Sequence, residues 1–252
     1  MNFELWSVWH ILYILSPFAI FCGIYFLVHK QPEQIKNRVG LVLGILSVLV
    51  IIIRNIDIYV RSGWGVEVIP LQVCHIGSIV AGLALIFRKK WLLATSFCFH
   101  LIPAVLATVF ADALVNYDTL LKIRPQTYVW GHILIVVCAL YGVFVFRPQL
   151  AKRDLIHSLS FIGVMSLVAI LCNSLFRVWF SWEPNYFYIY NHKGTPLKFL
   201  YEACPTSVYG WFAINWLYTL TLFAVFVAVF IGLFCLAGWM VKKKTNSKVC
   251  KI

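Results

Sequence analysis

Seven apolar runs set the terms for this chain of 252 residues, because a segment lying in hydrocarbon finds no water to pair with its backbone. The runs fall near residues 9–28, 39–57, 69–87, 91–111, 127–146, 157–180 and 211–241. Each is long enough to cross about 30 Å of hydrocarbon at about 1.5 Å per residue. An isolated span satisfies its own N–H and C=O groups only as a helix. The expected fold is therefore all-α, a polytopic seven-transmembrane-helix bundle. Charged residues make up 12% of the chain, against about 25% in a soluble domain. The links between runs are short, the longest being 181–210, so a single domain over 1–252 is expected. The leader MNFELWSVW holds no Lys or Arg, and the first run reads as a retained span rather than a signal peptide.

The net charge of +12 raises the question of nucleic acid, and the placement of the basic residues answers it. Lys30, Lys36 and Arg38 follow the first run, Arg88, Lys89 and Lys90 the third, and Arg147, Lys152 and Arg153 the fifth. Lys242, Lys243, Lys244, Lys248 and Lys251 form the tail. The opposite side holds only Arg61, Lys122, Arg124, Lys193 and Lys198. Cytoplasmic loops carry the excess of basic residues. The expectation is an N-terminus outside, a C-terminus in the cytoplasm, and a multi-pass protein of the cell membrane whose positive side meets anionic lipid. Membrane phospholipid is the expected partner and nucleic acid is not; no oligomeric state follows from the sequence. Tryptophan is skewed as well, with only Trp91 and Trp239 at inner ends, so the outer rim reads as the one more engaged with headgroups.

Of eight cysteines, Cys22, Cys98, Cys138, Cys172 and Cys235 lie inside runs, Cys250 in the tail and Cys204 in an outer loop, which is no disulfide framework. No CxxC or Cys/His metal spacing occurs, so neither a metal nor a cofactor is expected. The eighth, Cys74, opens the third run within the stretch IPLQVCHIG. It lies about five residues, or roughly 7 Å, inside the outer surface, and His132 on the fifth run is at nearly the same depth. Arg54, Asn55 and Asp57 close the second run, Asn173 and Arg177 the sixth, and His100 and Asp112 lie on the fourth. His10 and Asn215 complete the set. Such groups are costly in a membrane and mark candidate sites. At helical spacing Cys74 shares a stripe with Gly77, Ser78, Ala81 and Gly82, the small residues that packed membrane helices present to one another. The stripe from Ser96 through His100, Ala104 and Thr108 to Ala111 and Asp112 is likewise expected to face protein.

A thiol beside an imidazole that accepts its proton becomes a thiolate nucleophile. Gln72, Asn173 and Arg177 are candidate donors to a developing oxyanion, with Arg54 and Asp112 as nearby charges. An outward-opening site meets neither ATP nor acyl-CoA, so the acyl donor is expected to be a lipid. Plainer readings stand beside this one. A free Cys behaves as a small hydrophobe, a single His often bonds between helices, and Arg54, Asp57 and Arg177 suit an outer-end ion-pair network.

Four short motifs then occur in order: PLQVC at the third run, FAD closing the fourth, WGHILIV entering the fifth, and NYFYI after the sixth. They resemble the successive motifs of the YwaF-like integral membrane family, which is similar to a eukaryotic transmembrane acyltransferase that moves acyl chains between phospholipids with a Cys/His pair. The resemblance implies Cys74 as acyl-accepting nucleophile, His132 as base, and Asp112, Asn185 and Tyr186 as motif positions without an assigned role. The chain departs from the pattern at His75, and at Glu183-Pro184 where Gly-Thr is usual.

The first reading is thus an outward-facing, cysteine-dependent phospholipid acyltransferase, transacylase or lipid acyl hydrolase acting through a thioester. A transporter or channel with a polar site in its outer half is the second; an odd span number and a single mid-helix proline, Pro103, argue against a two-repeat transporter. A non-catalytic lipid-binding protein is the third. A retinal protein is set aside, because the seventh run holds no lysine for a Schiff base between 209 and 241.

Overall fold

The computed structural model describes residues 3–117, 119–192 and 197–249, with side chains described to residue 241. Lys193, Cys250 and Lys251 lie outside the described residues, as do the side chains of Lys242, Lys243, Lys244 and Lys248. The helices are α1 (Val8–Val28), α2 (Glu33–Ser62), α3 (Val73–Phe87), α4 (Lys90–Thr95), α5 (Leu101–Val109), α6 (Asp112–Val115), α7 (Ile123–Phe144), α8 (Lys152–Phe180), α9 (Lys198–Glu202) and α10 (Trp216–Val249). A π-turn, Ser96–His100, joins α4 to α5. The outer link before α10 carries a two-stranded antiparallel hairpin, β1 (Ser207–Tyr209) and β2 (Phe212–Ile214). With α4 to α6 taken as one interrupted span, six helices among the described residues are long and apolar enough to cross a membrane, and α3 is a seventh, shorter apolar helix. The chain is an all-α polytopic membrane protein.

Helices α2, α7 and α8 start earlier than the apolar runs and α2 also runs on to Ser62, whereas two helices start later than expected, each for a local reason. Helix α3 starts at Val73 rather than near 69, since Pro70 disfavours helical backbone at Ile69 and Gln72 is still extended at φ −69°, ψ 148°. At 15 residues α3 is only about 22 Å long. Helix α10 starts at Trp216 rather than near 211, because Trp211 follows Gly210, whose φ of 59° turns the hairpin.

Proline interrupts two spans rather than one. Pro17 lies inside α1 and leaves the Tyr13 carbonyl without its N–H partner; the Ser16 hydroxyl donates to that carbonyl at 2.8 Å, and α1 continues. Pro103 lies in the first turn of α5 and denies an N–H to the Phe99 carbonyl. There the chain widens into the π-turn instead.

Helix α7 occupies the middle and packs on α1, α2, α3 and α5. The tightest crossing joins α2 to α3. A Cβ on Gly44 would lie 2.7 Å from the Gly82 carbonyl oxygen, and one on Gly82 would lie 2.6 Å from that of Gly44, so only glycine fits either position. Ser47 adds an interhelical bond to the Ser78 carbonyl at 2.9 Å. Ser78, Ala81 and Gly82 are buried, so the small-residue stripe through Cys74 faces protein as expected. The α4–α5 stripe is buried too, at Ser96, His100, Ala104, Thr108 and Ala111, but Asp112 at its end is exposed. Helix α8 docks on α4, where Ser158 donates to the Trp91 carbonyl at 2.9 Å, and α10 docks on the π-turn.

Candidate functional site

The half of the bundle read as outer from the placement of its basic residues is built from helix ends. Helix α5 stops at Val109 and leaves its last carbonyls without backbone partners. His10 donates from Nε2 to the Thr108 carbonyl, and the Tyr128 hydroxyl donates to that of Ala107, both at 2.9 Å. His10 Nδ1 accepts from the Trp6 N–H at 2.8 Å, so both its ring nitrogens are used. His10 is a tether between α1 and α5. Tyr128 in turn holds His132: its carbonyl accepts from Nδ1 at 2.8 Å, and the two rings lie 4.3 Å apart. A carbonyl only accepts, so Nδ1 carries hydrogen in either charge state and the lone pair of neutral His132 sits on Nε2. No hydrogen bond engages that Nε2 among the described residues.

Cys74 is the second residue of α3 and is half-buried. The register of α3 against α7 follows from Gly131, whose Cβ position would lie 3.9 Å from Ser78 Oγ. Cys74 is one turn outward from Ser78, and the His132 ring bends back toward the same outer level. The Arg54 guanidinium, half-buried on α2, acts electrostatically on Cys74, His75 and His132 alike. It is held by the Asn55 side chain at 3.0 Å and by the Glu67 carbonyl at 2.8 Å, while the Glu67 carboxylate pairs with Arg124. Tyr13, Tyr128 and Tyr188 also lie at electrostatic range of Cys74. Two buried polar groups in this cluster lack a hydrogen-bond partner, the Tyr13 hydroxyl and His75 Nδ1. Buried orphans are rare in native proteins and ask for an explanation.

A second group of expected residues performs a different task. Asn173 donates to the Tyr186 carbonyl at 3.0 Å and accepts from the Tyr186 N–H at 2.8 Å. Tyr186, fully buried, reaches from there to the Val66 carbonyl at 2.8 Å, tying α8 to the α2–α3 link. Asn185 accepts from the Tyr190 and Asn191 N–H groups at 3.1 Å. Arg177 donates to the Tyr190 hydroxyl and lies over its ring, 5.2 Å from the centroid. These anchors hold Phe187 and Tyr188 at φ 57° and 56°, a conformation that costs a side-chain-bearing residue about 1–3 kcal/mol. Tyr218 secures the Tyr188 carbonyl at 2.9 Å. Burial pushes the Tyr188 phenol up to about 12, so it stays a neutral hydroxyl at physiological pH.

Of the residues expected at a site, Cys74, His132 and Arg54 lie on three helices that pack on one another, α3, α7 and α2, with Arg54 at electrostatic range of the other two. Asn173, Arg177, Asn185 and Tyr186 form the neighbouring strapped loop, where the first two spend their polar groups on Tyr186 and Tyr190 rather than facing Cys74. Gln72 sits at the start of α3, half-buried, with no hydrogen bond to its side chain among the described residues. Asp112 is exposed at the start of α6, at electrostatic range of Tyr128. Asp57 pairs with Arg61 at 2.7 Å, so part of the outer-end ion-pair network exists as well. Sequence reasoning gave no role to Tyr13, Tyr128 or Tyr188: no spacing singles out Tyr13 among twelve tyrosines, whereas Tyr188 lies inside the NYFYI motif and Tyr128 one helical turn before His132. Among the described residues no cluster of His, Cys, Asp and Glu suits a metal ion.

No curated protein and no solved structure matches the chain. A model of one family of transmembrane proteins does match, over residues 5–234, a range that takes in every helix down to the greater part of α10. The chain belongs to the TMEM164 family.

Proposed function

We propose that the chain is a cysteine-dependent acyltransferase, transacylase or acyl hydrolase of phospholipid in the cell membrane, with Cys74 as nucleophile and His132 as base. The observation that carries this reading is the commitment of His132 Nδ1 to the Tyr128 carbonyl, which leaves the Nε2 lone pair available on α7, packed against the helix that carries the half-buried Cys74 thiol, with the Arg54 guanidinium at electrostatic range of both. The resemblance to the YwaF-like family and its acyltransferase relative supports it. His132 Nε2 takes the Cys74 proton, and the thiolate attacks the ester carbonyl of a phospholipid. The Tyr13 hydroxyl and Arg54 supply hydrogen-bond and charge stabilisation to the oxyanion. The C–O bond breaks, His132 returns the proton to the leaving lysolipid oxygen, and a thioester remains on Sγ. A second hydroxyl, from a lysolipid or water, gives its proton to His132 and attacks the thioester, and Sγ leaves with the returned proton as a thiol.

A lipid-mimicking acyl phosphonate tests this. It is expected to label Cys74 alone, while a general thiol reagent modifies the outer-loop Cys204 first. Cys74→Ser is expected to abolish both labelling and turnover with expression intact, and His132→Ala to slow turnover by about 10²–10⁴-fold. Unchanged acyl turnover in Cys74→Ser moves the reading to a transporter or channel, or to a non-catalytic lipid-binding protein.

A further inference from the structure

Helices α8 and α10 touch one another only in part. Beside that contact runs a cleft, part of it open to the surroundings, walled by Phe99 of the π-turn, Ile162 and Ser166 of α8, Phe187 of the strapped loop, and Phe226 and Phe230 of α10. Its α10 wall extends from Leu222 to Phe230, eight residues or about 12 Å along the helix axis. Phe230 lies fourteen residues, or about 21 Å, along α10 from Trp216, so the cleft descends from the outer loop into the membrane interior. The wall is apolar with one exception. Ser166 is 2% exposed and its hydroxyl has no hydrogen-bond partner, although a helical serine ordinarily bonds a carbonyl one turn back.

We infer that this cleft seats one acyl chain of a bilayer phospholipid, with its ester end at Phe187 and its tail toward Phe230. The chemistry of the occupant follows from the surroundings. A cleft at this depth lies in hydrocarbon, where acyl chains are the molecules at hand, and a wall of Phe, Leu and Ile offers a chain packing but gives a soluble metabolite no partner for its polar groups. The upper end adjoins the strapped loop. Phe187 lines the cleft and stacks on Phe99 at 6.2 Å, whereas Tyr188, the next residue, lies at electrostatic range of Cys74. His100, next to Phe99, packs on Gly77, where a Cβ would lie 3.1 Å from its Nδ1, one turn inside Cys74. An ester at the mouth would therefore lie on the Cys74 side of the strapped loop. Only that alignment rests on the proposed reaction; occupation of the cleft does not.

The test uses the full chain in phosphatidylcholine nanodiscs that contain a trace of phosphatidylcholine with a diazirine midway along one acyl chain. Photolysis is expected to label Ile162, Phe226 and Phe230 at least fivefold above the lipid-facing control positions Leu15 and Leu27, and equally in Cys74→Ser. Ser166→Phe, which fills the cleft, is expected to abolish that excess. Phe230→Ala lengthens the cleft and is expected to restore strong labelling by a probe whose diazirine sits near the chain terminus. Ser166→Leu, a milder filling, together with the thermal midpoint of each variant, separates a blocked cleft from an unfolded chain. Labelling spread evenly over cleft and control positions, or unchanged in folded Ser166→Phe and Ser166→Leu, overturns the inference. Loss of turnover in Cys74→Ser with cleft labelling retained supports both proposals, and retained labelling with unchanged turnover upholds the cleft while removing the reaction.

Discussion

Replacing Gly82 with alanine puts the most sharply defined strain on this fold. The added Cβ would lie 2.6 Å from the Gly44 carbonyl oxygen and 2.6 Å from Val48 Cγ2. A backbone carbonyl cannot rotate away, so relief to ordinary contact near 3.4 Å moves α2 and α3 about 0.8 Å apart. The Ser47 bond to the Ser78 carbonyl, 2.9 Å long, would stretch to about 3.7 Å and be lost. Overpacking costs about 1–3 kcal/mol, and an interhelical hydrogen bond in a membrane averages about 0.6 kcal/mol. The expected destabilisation is therefore about 2–4 kcal/mol. Because α2 carries Arg54 and α3 carries Cys74, a shift of this size is also expected to lower acyl turnover by as much as about 100-fold. Reversible unfolding in mixed detergent micelles measures the first effect, with Gly163→Ala on α8 as control, since nothing lies within 4 Å of its Cβ position. A Gly82→Ala chain that unfolds within about 0.5 kcal/mol of the parent refutes the argument that the glycine pair sets the α2–α3 distance.

Three further outcomes are expected. Ser16→Ala removes the hydroxyl that satisfies the Tyr13 carbonyl above Pro17, and is expected to cost about 1 kcal/mol in the same unfolding assay, whereas Ser16→Thr retains it. His10→Phe keeps the ring but strands the Thr108 carbonyl and the Trp6 N–H, at an expected cost of about 2–4 kcal/mol; a loss below about 1 kcal/mol in the unfolding assay removes the tether role. A reporter active only in the cytoplasm, fused after Ile252, is expected to give signal, and a signal only from an extracytoplasmic reporter reverses the sidedness read from the basic residues.

Much of the architecture was legible because hydropathy reads lipid exposure directly, and the small-residue stripes of α3 and α4–α5 marked the faces that turn inward. The ends were less legible. Pro70 shortened α3 and Gly210 delayed α10, both local backbone effects inside runs whose composition stays apolar. At the site, depth and helix facing are what put Cys74, His132 and Arg54 in one expected group, since those follow from residue counts along straight helices. Asn173 and Arg177 misled for the same reason: they have the right depth, but their partners lie in the irregular loop after α8, whose path no periodicity encodes. The unpartnered Tyr13 hydroxyl was invisible, because which hydroxyls lack a partner is a property of the packed molecule.

Helix α7 is the least apolar of the six long spans and by far the most covered by its neighbours, whereas α10 is the most apolar and among the least covered. For a chain that enters the bilayer from its N-terminal end this carries a consequence for biosynthesis. A weakly apolar span partitions poorly alone, so α7 depends on α1, α2, α3 and α5 being at hand as it leaves the insertion machinery, and all four precede it in synthesis. The helices that carry Arg54, Cys74 and His132 can therefore pack together before α8 enters the bilayer. The α8–α10 cleft comes last, closing around whatever the bilayer supplies when α10 enters.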